Sequence, residues 1–151
     1  MSSVRMQRIT PFLWFDSNAE EAVRFYTSVF ENSKIIQISP MVSTFELDGQ
    51  RLMALNGGPH FKFNEAVSFY VNCETQKEVD YYWEKLLSGG GKESQCGWLK
   101  DRFGLSWQIV PTALGELMSD PDPVKSQRVL QAMLKMIKLD IEGLRKAHRG
   151  E

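Results

Sequence analysis

The chain is poor in the residue types that most often announce chemistry. It has two cysteines, Cys73 and Cys96, and two histidines, His60 and His148, in 151 residues. Two thiols make no disulfide framework, and without a secretion signal they fit a reduced, cytoplasmic setting. The opening MSSVRMQRIT has no apolar stretch of the kind a signal peptide needs, so none is expected. No apolar run approaches the ~20 residues of a membrane helix. A surplus of one charge is also missing, since 18 Lys and Arg against 19 Asp and Glu leave a formal net charge of −1. That balance draws the molecule neither to nucleic acid nor to an anionic membrane, so neither partner is expected. There is no Walker loop, Ser/His/Asp arrangement or paired-cysteine motif.

What is present is ordinary for a folded domain, with 42% hydrophobic and 25% charged residues. Ile9–Phe15, ITPFLWF, has the β-branched and aromatic content of a buried strand. Ser17 and Glu20 have capping-box spacing before a helix with Ala22, Val23, Phe25, Tyr26, Val29 and Phe30 on one stripe. Lys34–Ser39 and Ser43–Leu47 read as strands. Asp48-Gly49 reads as a hairpin turn, and Arg51–Leu55 as the return strand.

The same order then recurs. Ala66–Val71 reads as a strand, and Thr75 with Glu78 as a second capping box. Val79, Tyr81, Tyr82, Leu86 and Leu87 form a second stripe, which Gly89-Gly90-Gly91 ends. Trp98–Lys100 and Leu105–Val110 are strands about a Phe103-Gly104 turn. A shift of 56 places Phe15 on Val71, Val23 on Val79 and Phe25-Tyr26 on Tyr81-Tyr82. A shift of 55 places Gly49 on Gly104 and Leu52 on Trp107. Chance similarity of two amphipathic helices competes with repetition, but two aligned capping boxes favour two β-α-β-β-β copies. One copy alone leaves a sheet face exposed, whereas two can bury it or roll around a cavity.

The remainder differs. Pro111–Pro123 is loop-rich, and Asp122-Pro123 is a helix-start signal. Val129, Leu130, Met133, Leu134 and Ile137 then recur along a helix to about Lys138. After a break at Lys138-Leu139-Asp140, a short helix runs from Ile141 to His148. A Met-rich stripe of this kind is core or dimer contact more often than cofactor site.

Four stretches together resemble the vicinal oxygen chelate superfamily, which includes glyoxalase I, extradiol dioxygenases and bleomycin- and fosfomycin-resistance proteins. They are ITPFLWFDSNAEEAVRFYTSVF, LNGGPHFKFNEAVSFYVNC, CGWLKDRFGLSWQIVPTAL and SQRVLQAMLKMIKLDI. More narrowly they resemble its PhnB-like branch, whose members are often labelled 3-demethylubiquinone-9 3-methyltransferases. The resemblance implies an α+β fold of two paired βαβββ modules plus a C-terminal helical segment, often assembled as a homodimer. Residues 1–151 are then one domain, with module one at about 7–56, module two at about 64–112 and C-terminal helices at about 123–148. The methyltransferase label sits poorly with the residues. Binding S-adenosylmethionine usually takes a Gly-rich turn after a first parallel strand, and here DSNAEEA follows that strand.

The superfamily usually holds a divalent metal with His, Glu or Gln on the concave sheet face. Carried over, those positions fall at Thr10, Ala66, Gln108 and, for the first module's final strand, Met53. Only Gln108 can ligate, and one amide oxygen makes a weak site, so neither metal nor other cofactor is expected. His60 and His148 read as solvated surface residues. Asp101 reads as a turn residue, and Cys96, with no histidine near it in sequence, as a structural thiol.

Strand alternation places Thr10, Phe12, Trp14, Ser68, Tyr70, Ser106 and Gln108 towards the cavity that the resemblance implies. Leu13, Phe15, Val67, Phe69, Val71, Trp107 and Ile109 face the helices. Aromatic walls with a few polar groups are how small-molecule sites are commonly built, although a filled core has the same composition. Two functions are carried forward. The first is a protein that binds a small aromatic or amphipathic ligand between paired sheets without a strong metal site. The second is a metal-assisted lyase, isomerase or dioxygenase. Fold alone does not choose between them.

Overall fold

The computed structural model describes residues 7–151, and residues 1–6, read above for a leader, lie outside the described residues. The chain forms two compact units that divide between Phe63 and Asn64. The first contains β1 (Phe12–Phe15), α1 (Ala19–Val29), β2 (Ser33–Gln37), β3 (Val42–Leu47) and β4 (Gln50–Asn56). The second contains β5 (Ser68–Cys73), α2 (Gln76–Leu87), β6 (Lys92–Glu93), β7 (Trp98–Lys100) and β8 (Ser106–Pro111). Three helices follow, α3 (Thr112–Met118), α4 (Pro123–Leu134) and α5 (Ile141–Arg149). Strand orders are β1-β4-β3-β2 and β5-β8-β7-β6, so the two units repeat one βαβββ topology. Each sheet has one parallel pair, β1 with β4 and β5 with β8, among antiparallel ones. The expected α+β class of two such modules with C-terminal helices is the observed one.

In the first unit a two-residue turn sets the register. Asp48 and Gly49 both take positive φ, 49° and 82°, as a hairpin turn matched to strand twist requires. Burial then alternates along β3 and β4, with Phe45, Leu47, Leu52 and Ala54 under α1 and Thr44, Glu46, Arg51 and Met53 on the other face. Leu13 and Phe15 of β1 join the buried side, against Ala22, Val23, Tyr26 and Val29 of α1. The expected Ser17–Glu20 capping box does not form, because Asn18 is the N-cap residue and makes no side-chain cap. Asn56, which pairs with Phe15 across the parallel strands, accepts from the Ala19 N–H at 2.8 Å instead. A strand-end side chain thus replaces the local cap.

In the second unit the Thr75 hydroxyl does cap α2, accepting from the Glu78 N–H at 3.2 Å. The buried face of α2 is Val79, Trp83 and Leu86, at i, i+4 and i+7. The expected stripe was rotated from this, since Tyr81 is exposed and Trp83 takes the inward place. These residues cover Leu99, Trp107 and Ile109. Strand β5 starts two residues later than expected, which leaves Val67 66% exposed in the preceding bend rather than under a helix.

The expected loop at 111–123 is partly helix α3, because Ala113 and Leu114 bury a face before the SDPDP turn residues begin. Helix α4 starts where Asp122-Pro123 implies, with Asp122 accepting from the Val124 N–H at 2.9 Å. Val129 and Met133 turn into a cluster with Val110, Leu114, Leu139 and Leu144, while Leu134 and Ile137 remain 50% exposed. Gln76, at the start of α2, accepts from the Ile141 N–H and donates to the Leu139 carbonyl, tying α5 to α2. His148 is not freely solvated, because its Nε2 lies 2.8 Å from Asp120 Oδ2.

Candidate functional site

Each sheet turns one face away from its βαβββ helix, and the strand residues among the expected site residues, Phe12, Trp14, Met53, Ser68, Tyr70, Ser106 and Gln108, are placed here by their ladder pairs. In the first unit Phe12 pairs with Met53 and Trp14 with Leu55, so all four share the face opposite α1. Phe12 is 51% exposed. Trp14 is held more firmly, with its indole N–H donating to the Gly58 carbonyl at 2.9 Å and Phe61 meeting it edge-on at 4.9 Å. Thr10 precedes β1 rather than lying in it, and its hydroxyl accepts from the Gln7 amide at 3.4 Å. Gln7 was not singled out in the sequence. Its side chain bonds the N–H and carbonyl of Arg51, anchoring the segment that leads into β1.

In the second unit two rows of paired residues cross the outward face. One row is Lys92, Lys100, Ser106 and Ser68, and the next is Trp98, Gln108 and Tyr70. Gln108 donates its amide to Ser68 Oγ at 2.9 Å. Tyr70 is exposed. Ser106 is 1% exposed, and its hydroxyl has no hydrogen-bond partner among the described residues. Ala66 lies in a turn ahead of β5, exposed, and does not join this face. The sheet registers also correct the repeat alignment. With Phe12 on Ser68, the partner Met53 corresponds to Ser106 and Leu55 to Gln108, so Met53 and Gln108 are not equivalent. The slip arises in the hairpin before the last strand, which runs from Thr44 to its ladder partner Met53 in the first unit but over the shorter stretch from Lys100 to its partner Ser106 in the second.

A pocket of about 250 Å³ opens on the second unit, lined by Glu65, Lys92, Ser94, Trp98, Lys100 and Ser106 among others. The Lys100 ammonium is ion-paired with Glu65. That hydrogen bond and charge hold the Glu65 carboxyl below the usual carboxylate range. Glu93 also lines this pocket, and its carboxylate accepts from the Trp83 indole at 2.9 Å. Neither Lys92 nor Lys100 was among the expected site residues. The cross-strand pairing of Trp98 with Gln108 places Trp98 on the same face, and alternation within one strand does not supply that link.

The remaining reactive side chains have structural work. Asp101, 2% exposed, accepts from the Phe103 and Leu105 N–H groups and from the Trp107 indole, which keeps the turn before β8 closed. Burial, followed by the Glu78 charge, pushes the Cys73 thiol up to about 12. Cys96 has a positive φ of 58°, and its N–H donates to the Met136 carbonyl. Among the described residues no three His, Cys, Asp or Glu side chains gather closely enough to hold a metal ion. Thr10, Ala66, Met53 and Gln108, the positions that the resemblance implied for ligands, do not fit such an ion either.

Against known proteins, residues 7–110 match the family model described as 3-demethylubiquinone-9 3-methyltransferase. The chain belongs to this PhnB family. A PhnB protein from Bacillus cereus is 36% identical, with a TM-score of 0.66, and the match covers 70% of this chain and 100% of that one. Two more distant structures share the fold. A glyoxalase-related enzyme from Fulvimarina pelagi is 14% identical, TM-score 0.52, over 72% of this chain and 91% of its own. The fosfomycin resistance protein of Listeria monocytogenes, solved with Mn(II) and sulfate, is 15% identical, TM-score 0.52, over 69% and 88%. None of the curated proteins matches this chain. PhnB membership thus agrees with the resemblance carried by the four sequence stretches. No helix among the described residues is long and apolar enough to cross a membrane.

Proposed function

We propose that this PhnB-family protein binds a small aromatic or amphipathic molecule on its outward sheet faces, without a strong metal site. The observation that carries the reading is the composition of those faces. Phe12, Trp14 and Met53 in one unit, and Tyr70, Trp98, Ser106 and Gln108 in the other, stand on strands opposite the helices. Phe12 and Tyr70 are exposed and Trp14, Met53 and Trp98 half-buried, and aromatic side chains beside a few polar groups are the usual material of small-molecule sites. Thr10, expected on the same wall, belongs to its approach rather than to the strand. The donor set supports a metal-free site, since Gln108 offers a single amide that already bonds Ser68.

Methyl transfer fits these residues poorly despite the family's description. The turn after β1 is Asp16-Ser17-Asn18, with no glycine, and each sheet has one parallel pair rather than a doubly wound parallel core. The reading includes a cytoplasmic setting, supported by two free thiols, and a homodimer, supported by the superfamily resemblance. Titration with the neutral fluorescent probe N-phenyl-1-naphthylamine tests the binding. Saturable binding that Trp14→Ala weakens about five-fold, on the order of 1 kcal/mol, is expected. Binding unaffected by the substitution, or absent from the folded wild type, counts against it.

A further inference from the structure

The pocket on the second unit carries more information than its volume. Its lining includes Ser106, whose buried hydroxyl has no hydrogen-bond partner among the described residues. A buried hydroxyl left unpaired costs free energy, so the arrangement is complete only when something bonds it. Beside it in the sheet stands Lys100, directly paired with Ser106 across β7 and β8. The Lys100 ammonium is already occupied by a carboxylate, that of Glu65, which reaches across from the turn before β5. Glu65 is itself 63% exposed, so its side chain is free to swing out into water. Trp98 lines the same pocket, one row along, and offers an aromatic wall. Lys92 on β6 pairs with Lys100 on β7 and supplies a second cation, while Glu93, also in the lining, has its carboxylate engaged by the Trp83 indole.

We infer that this pocket is a subsite for an aromatic carboxylate, and that Glu65 is a built-in stand-in for the ligand's acid group. An incoming carboxylate takes the Lys100 ammonium as Glu65 leaves it, accepts from the Ser106 hydroxyl, and lays its ring against Trp98. An ammonium with a neighbouring hydroxyl donor suits a carboxylate, since charge-assisted bonds to an ionised acceptor are the strong ones. At about 250 Å³ the pocket is somewhat below the usual range of roughly 300–1,000 Å³, which fits a single-ring acid better than a cofactor. This inference rests on the small-molecule reading above and narrows its ligand class.

Benzoate and its neutral counterpart benzyl alcohol test it by calorimetric titration. Glu65→Gln removes the competing carboxylate, and an exposed ion pair of this kind sets the expected gain at about two- to five-fold tighter benzoate binding. Benzyl alcohol binding is expected to stay unchanged. Ser106→Ala is expected to weaken benzoate while leaving the melting temperature equal or higher, because it deletes an unsatisfied buried group. A merely structural serine predicts no change in benzoate affinity. The inference is overturned by a Glu65→Gln protein with no gain for benzoate, by an equal gain for benzyl alcohol, or by unchanged benzoate binding in Ser106→Ala. Saturable binding of N-phenyl-1-naphthylamine alongside any of these results overturns the acid subsite alone, whereas its absence as well removes the underlying reading.

Discussion

Trp14 and Gly57 fit as ring and gap, since a Cβ on Gly57 would lie 2.4 Å from the Trp14 indole. The loop that holds Gly57 closes over the ring through the Trp14–Gly58 hydrogen bond and the edge of Phe61. This loop, not a helix, fixes the orientation of the aromatic side chain that the binding proposal leans on most. Gly57→Ala is therefore expected to drive the indole out, at a cost of roughly 1–3 kcal/mol typical of overpacking. Urea denaturation reads the loss, and a changed tryptophan emission maximum in the folded state reads the movement. A variant of wild-type stability and emission contradicts the fit.

Acid should loosen the C-terminal helices first. The Asp122 N–H, then His148, holds the Asp120 carboxyl below the usual carboxylate range. A lowered folded value contributes stability that is complete above the ordinary aspartate value of about 4 and is lost as pH falls through the lowered one. Asp120→Asn is expected to flatten the acid limb of a stability-against-pH curve in that window. Urea midpoints between pH 2 and 6 check this, and an unchanged acid limb speaks against it.

The two thiols should differ in reactivity. Cys73 is fully buried with its thiol pushed up to about 12, so it stays protonated at any pH the folded protein normally meets. Cys96 is only partly buried. Native protein with Ellman's reagent at pH 8 is expected to leave Cys73 unmodified until urea is added. Peptide mapping that finds Cys73 labelled in the folded state contradicts the assignment.

Helix α4 ends at Leu134 rather than near Lys138, so Leu134 at its end and Ile137 in the bend beyond it are the part of the expected stripe that the chain's own core does not take up. The homodimer proposal predicts that they contribute to association, as apolar side chains matched in a twofold contact. Light scattering is expected to find a dimer at tens of micromolar, roughly where stable dimers persist, and Leu134→Glu with Ile137→Glu to favour the monomer. A monomeric wild type, or a double variant still fully dimeric, refutes this.

The sequence was informative wherever short-range chemistry decides. Asp48-Gly49, Thr75 and Asp122-Pro123 each placed an element boundary, because turn geometry and helix caps involve residues a few positions apart. It misled where a distant partner intervenes. Asn56 captures the start of α1 from a strand 37 residues away, so the Ser17–Glu20 pattern goes unused. His148 finds Asp120 in the same way across 28 residues. The site divides on the same line. Alternation put Phe12, Trp14, Ser68, Tyr70, Ser106 and Gln108 towards a cavity; the registers pair Phe12 with Met53, Ser68 with Ser106 and Tyr70 with Gln108, and their part in a ligand site belongs to the proposal. Thr10 and Ala66 fell short because both strands start later than their composition implies. Nothing in the sequence tells that Ser106 lacks a partner or that Glu65 reaches Lys100, since both depend on side chains meeting across the sheet.

The central claim is that this PhnB-family protein holds a small aromatic molecule without help from a metal. The direct measurement is a titration with N-phenyl-1-naphthylamine before and after exhaustive dialysis against EDTA, with metal content followed by mass spectrometry. The account predicts saturable binding of equal affinity in both samples and no change on adding Mn(II) or Zn(II). Binding that vanishes with EDTA and returns with a stoichiometric divalent ion contradicts it.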